Sequence, residues 1–156
     1  MNNKITKVTS PNVNHNSCFI DIAKTSQTAL VISFFESQLH DTNPAIYSQE
    51  FLCSYGVAGA IKRNSIIVAS ACNTIVGACR YYRKKNGDVS LYQFAIREEY
   101  RGQRLLFRML SMLGTVSVNS KCPIDIEFND YYKKTGWIFE KVAGAYNNWV
   151  LEIKMD

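Results

Sequence analysis

The apolar positions of this chain fall into short runs whose spacing changes three times. Cys18 to Ala23 is a short apolar run and predicts a strand. Thr25 or Ser26 then offers a helix cap, and Ala29, Leu30, Ile32, Phe34, Phe35 and Leu39 form the apolar members of a first helix. Asn43-Pro44 breaks it. A second helix is expected from Ile46 to about Val57, with Gly56 and Gly59 marking its end. The next three runs, Ser65 to Cys72, Ile75 to Tyr82 and Val89 to Ile96, read as strands. The turns between them, Asn73-Thr74 and a charged loop carrying Asn86-Gly87, predict an antiparallel meander.

The period then lengthens. Leu105, Leu106, Met109, Leu110 and Leu113 share one helical face, so a helix is expected from Arg104 to about Val118. Pro123 opens an alternating run, Ile124 to Phe128, read as a strand with Asp125, Glu127 and Asn129 on its second face. Trp137 to Val142 and Tyr146 to Met155 form a terminal hairpin around Ala143-Gly144-Ala145. The fold class is therefore α+β: a mixed, mostly antiparallel central sheet flanked by helices, with a strand–helix–strand crossover. Residues 1–17 are rich in Asn, Ser and Thr and read as a flexible arm, leaving 18–156 as one domain.

Composition changes this picture little. Hydrophobic residues make up 47% and charged residues 20% of the chain, which excludes a disordered protein. The five cysteines contain no Cys-x-x-Cys pair, and the two histidines stand outside any cluster, so no metal site is expected. Free thiols and the lack of a long apolar run point to a soluble, cytoplasmic protein. The formal charge of +5 fits a polyanionic ligand or partner, nucleic acid included.

Candidate chemistry concentrates between Leu91 and Trp137. An apolar strand ends at Ile96, and the tight turn Tyr100-Arg101-Gly102-Gln103-Arg104 leads straight into a helix. Amides at a helix start, with two arginines and a glycine beside them, suit a phosphate group. This segment resembles the central motif of the GNAT acyltransferases, whose strand is followed by Gln/Arg-x-x-Gly-x-Gly/Ala. Arg101 matches the first position. Arg104 stands where the first family glycine belongs, and Leu106 where the second small residue belongs. Asn129-Asp130-Tyr131-Tyr132-Lys133-Lys134-Thr135-Gly136-Trp137 resembles the family's later motif, with Tyr132 and Gly136-Trp137 in register and Asn129 closer to the tyrosine than usual.

The resemblance implies a GNAT-like fold and an N-acetyltransferase that moves an acetyl or similar group from acetyl-CoA to a primary amine by direct attack. It implies that Phe94, Ala95 and Ile96 align the pantetheine arm and that Arg101, Gly102, Gln103, Arg104, Leu105 and Leu106 hold the pyrophosphate, with Asn129 nearby. Tyr132 would protonate the departing thiolate. Glu127, on the polar face of the expected strand, is the candidate general base. Two alternatives keep the fold: a nucleic-acid-modifying enzyme of the phage Mom type, and a non-catalytic binding protein.

Overall fold

A computed structural model describes residues 18–39 and 53–153. The expected arm, Asn43-Pro44, Ile46 to Leu52 and the final residues lie outside them. Among the described residues seven strands form one sheet in the order β1-β2-β3-β4-β5-β7-β6. They are β1 Phe19–Ile22, β2 Ile66–Ala71, β3 Thr74–Arg83, β4 Val89–Ile96, β5 Ser117–Pro123, β6 Ile138–Ala143 and β7 Tyr146–Glu152. The first four form an antiparallel meander, β4 and β5 are parallel, and β7 runs antiparallel to both β5 and β6. This is the mixed α+β arrangement expected from the sequence.

Among the described residues four helices cover the sheet: α1 Thr28–Leu39, α2 Ser54–Lys62, α3 Leu105–Ser111 and α4 Phe128–Lys134. Each face has its own core. On one, Val31, Phe34 and Phe35 of α1 and Val57, Ala60 and Ile61 of α2 meet Ile66, Val68 and Ala78 of the sheet. On the other, Leu105, Leu106, Met109 and Leu110 of α3 and Tyr132 of α4 meet Ile67, Val76, Cys79 and Val118.

The meander turns follow their chemistry. The first turn falls on Cys72 and Asn73, one residue before the expected Asn73-Thr74, and both take positive φ, 51° and 61°, as a two-residue hairpin turn demands. Lys84 and Asp88 close the next turn with a 2.8 Å backbone hydrogen bond.

Four further expectations need correction. In α1, Ala29 and Leu30 are exposed, and Val31 takes the buried place beside Phe34 and Phe35. The second helix continues through Gly56 and Gly59 to Lys62 rather than ending there. The third stops at Ser111, seven residues early, and Gly114 follows at φ 63°. Finally, the strand expected over Ile124 to Phe128 does not form. β5 lies upstream, over Ser117–Pro123, with Val118, Ser120 and Cys122 buried on one face. The chain then turns and enters α4 at Phe128.

Candidate active site

The sheet is open at its centre. β4 and β5 pair at only three positions, Val89–Val118, Ser90–Asn119 and Leu91–Ser120. Beyond Leu91 the strands part. A bulge begins the separation: Leu91 and Gln93 oppose Tyr81 and Arg80 on β3, leaving Tyr92 as the extra residue. A bulge bends its strand and strengthens the twist.

The backbone past the bulge has a defined polarity. The Arg97 amide donates to the Val76 carbonyl at 2.9 Å, so Ile96 and its partner Gly77 form a non-hydrogen-bonded pair. By alternation Phe94 is the same. Both residues therefore aim their backbone N–H and C=O away from β3, into the gap between β4 and β5. One of those groups, the Ile96 carbonyl, accepts a 2.9 Å hydrogen bond from Arg101 Nε. Arg101 is thereby tied to the end of the strand.

A single 3₁₀ turn, Glu98–Tyr100, carries the chain from β4 to the loop. Arg101 to Arg104 are all exposed. Arg104 sits at the start of α3 in the left-handed region, φ 59° and ψ 26°, and its side chain caps none of the helix amides. Its guanidinium lies instead over the Phe107 ring, 4.3 Å from the centroid. Leu105 and Leu106 are buried in the core below α3. Leu106, in the place of a small residue, thus turns inward and leaves the outer side of the loop clear. The two halves of the expected phosphate loop differ: 101–104 face solvent, whereas 105 and 106 can offer only backbone.

Tyr132 stands at the apex of the gap. Its hydroxyl and the Ser120 hydroxyl are 2.8 Å apart, and Ser120 is in the last β4–β5 pair. The ring stacks on Trp149 at 5.7 Å and 14° and meets Trp137 edge-on at 5.1 Å. Burial holds the phenol pKa far above its ordinary value, with the Ser120 hydrogen bond working the other way. Ser120 was not a candidate from sequence. Its signal was the alternation of Val118, Ser120 and Cys122, which is hidden among polar neighbours.

Two further aromatic rings of α4 reach β4. Tyr131 lies 5.5 Å from the Phe94 ring, and Phe128 lies 5.7 Å from it and stacks on Tyr131 at 4.9 Å. These rings bridge from α4 to the strand that lines the gap. Burial also raises the Tyr131 pKa, against the lowering effects of the Thr135 side chain and Arg101.

Two other candidates have different surroundings from those expected. Asn129 is a brace. Its amide nitrogen donates to the carbonyls of Pro123 and Ile126, both at 2.8 Å, and more weakly to Ile124. Its oxygen accepts from Asn147 at 3.1 Å and from Trp149 Nε1 at 2.9 Å. The amide that was expected to face cofactor is fully engaged in holding the β5–α4 turn against β7. Glu127 is the N-cap of α4 and is exposed, so the polar strand face that made it a base candidate is not there. Asp125 is likewise exposed in the turn.

The basic residues near the β3–β4 hairpin are dispersed. Arg83 donates to the Leu113 carbonyl at 2.6 Å, and Arg80 packs toward α2, leaving Lys84 and Lys85 exposed at the tip. Among the described residues no group of His, Cys, Asp and Glu side chains gathers to hold a metal, and no helix is long and apolar enough to cross a membrane.

No family model and no curated protein sequence matches the chain. Solved structures do. The PaiA N-acetyltransferase of Thermoplasma acidophilum, in complex with coenzyme A, superposes with a TM-score of 0.69 at 16% identity, over 87% of this chain and 99% of that one. The yncA protein of Salmonella typhimurium, with acetyl-CoA as its cofactor, gives 0.62 at 11% identity, over 90% and 96%. The polyamine N-acetyltransferase of Drosophila melanogaster gives 0.62 at 10% identity, over 86% and 99%. With its meander, its parted central strands and its strand–helix–strand crossover, this chain has the fold of the GNAT acetyltransferases.

Proposed function

We propose that the protein is an acyl-CoA-dependent N-acyltransferase acting on an amine. The observation that carries this reading is the gap between β4 and β5. Phe94 presents its backbone N–H and C=O to it and Ile96 its N–H, groups with which the amides of a pantetheine arm could pair. The solvent-facing loop, Arg101 to Arg104, and the leading amides of α3 would meet the pyrophosphate, with Arg101 and Arg104 supplying charge. Acyl-CoA supplies the thioester.

In direct transfer the amine nitrogen bonds to the acyl carbon, the carbon–sulfur bond breaks, and one proton passes in net from nitrogen to sulfur. Tyr132 is the proposed partner of the sulfur. Its raised pKa makes complete transfer to a thiolate unfavourable, because a thiol ionises at about 8.5. Its task is therefore to donate a hydrogen bond to charge developing on sulfur, with Ser120 holding the hydroxyl in place. The amine's proton leaves to water, and the departing thiolate takes its proton from water. Holding amine and thioester in register would contribute most of the rate.

Acetyl-CoA at a hundredfold excess over its dissociation constant should stabilise the protein by about 2.7 kcal/mol, read as a rise in melting temperature. No rise with any acyl-CoA at millimolar concentration ends the proposal. Tyr132→Phe should keep that rise and lower the rate of thiol release by at least about tenfold. An unchanged rate would remove Tyr132 from the chemistry.

A further inference from the structure

The face of the sheet opposite α3 carries an arginine with an unanswered donor. Along β3, Cys79 and Tyr81 belong to the core under α3, and Ala78 to the core under α1 and α2, so Arg80 points to the α2 side. Its guanidinium is held between two surfaces. The Tyr92 ring lies beneath it, 4.6 Å to the centroid. On the other side is bare helix backbone: a β-carbon added to Gly56 would stand 3.3 Å from Nη1. Nη1 is buried and has no hydrogen-bond partner, and among the described residues no carboxylate pairs with it. A buried cationic donor left unanswered is costly, and such a group calls for an explanation.

Its position supplies one. Arg80 pairs with Gln93, one residue past the bulge where β4 leaves β5. Across the gap, Lys121 on β5 is paired with Asn148 on β7. Ser120, Cys122 and Trp149 turn to the α3 face, so Lys121 and Asn148 turn to the face of Arg80. The Asn148 Oδ1 atom is also buried without a partner. One strand back from the gap on either side, the same sheet face thus carries an unanswered cationic donor on β3 and an unanswered neutral acceptor on β7. On this face beside the gap, Arg80, Tyr92, Gln93, Lys121 and Asn148 include no carboxylate that would welcome a polycation.

We propose that the acceptor is an amine that also bears an anionic group, a carboxylate or a phosphate, with Arg80 holding the anion and Asn148 accepting from the amine. The proposal rests on the acyltransferase reading and narrows it to a substrate class. Planar guanidinium donors suit either anion, and the rigid seat between Tyr92 and Gly56 leaves little freedom to lose on binding.

The test is a thiol-release assay with acetyl-CoA and matched amines: free amino acids against their amides, phosphoethanolamine against ethanolamine, and spermidine as polycation. Amines with an anion should show a kcat/KM at least about tenfold above their neutral partners, and spermidine should be a poor substrate. The acid and phosphate arms separate the two sources of the anion. In Arg80→Gln the preference should shrink to within about twofold, while acetyl-CoA still raises the melting temperature. If acetyl-CoA gives no rise with the unaltered protein, the acyltransferase reading itself fails. If it does bind, three results overturn the present proposal alone: amides or spermidine matching the acids, no anionic amine being acetylated, or Arg80→Gln keeping the preference. The panel on the unaltered protein decides the matter even if Arg80→Gln does not fold.

Discussion

Arg104 holds a backbone conformation that suits glycine better than any residue with a side chain. Its φ of 59° is the left-handed conformation that glycine adopts without strain and other residues adopt at a cost of roughly 1 kcal/mol. Arg104→Gly should therefore be more stable than Arg104→Ala by about 1 kcal/mol in urea denaturation, since both lose the contact with Phe107 and only alanine keeps the strain. Equal stabilities would mean that the loop is not held in this conformation. Leu106 teaches a related point. The sequence shows a large residue in a small residue's place, but only the structure shows that it faces the core. Asn129 and Glu127 stand out in the sequence by residue type and spacing. Neither feature reports that the Asn129 amide is saturated by five hydrogen-bonding partners or that Glu127 stands exposed at the start of a helix, its side chain bonding none of the helix amides.

At the scale of elements, the meander was readable because its turns carry their own chemistry and its strands alternate clearly. The crossover was harder. Ile124, Ile126 and Phe128 have strand spacing, and a short apolar run cannot distinguish strand from turn and helix start. The true strand, Ser117–Pro123, is mostly polar and buries Ser120 through its bond to Tyr132. Gly114 was an available stop signal for the helix before it. The seat of α3 depends on another glycine. A β-carbon at Gly77 would lie 3.0 Å from Ile96 Cδ1 and 3.4 Å from both Leu105 Cδ2 and Met109 Sδ. Gly77→Val should cost about 2 kcal/mol of stability and, by pushing α3 from the strand, weaken acetyl-CoA binding. Calorimetric melting with and without acetyl-CoA checks both. A stability equal to that of the unaltered protein would show that α3 rides higher on the sheet.

For the whole molecule, two separate cores on one sheet leave several ionisable groups in dry surroundings. Burial pushes Cys79 up to about 12 and Cys122 to about 11, from 9.0, and Tyr132 also upward. In the unfolded chain these thiols ionise first, so above about pH 9 the native state binds more protons than the unfolded state. Their contribution is intact below that pH and declines as pH rises toward the native values. Urea midpoints should fall between about pH 8 and about pH 10.5, and Cys79→Ala should fall less steeply. A slope unchanged by that substitution would show that Cys79 is not dry.

The parted strands give the middle of this sheet the character of an edge. Hydrogen exchange should see it as a two-residue rhythm within one strand. The Phe94 and Ile96 amides face the gap and should exchange with solvent quickly, whereas Arg97, bonded to Val76, should be slow. A bound ligand that used those amides would erase the rhythm, and its reach along β4 could be counted residue by residue from the amides that slow. Uniformly slow exchange along β4 would mean that the sheet is closed in solution.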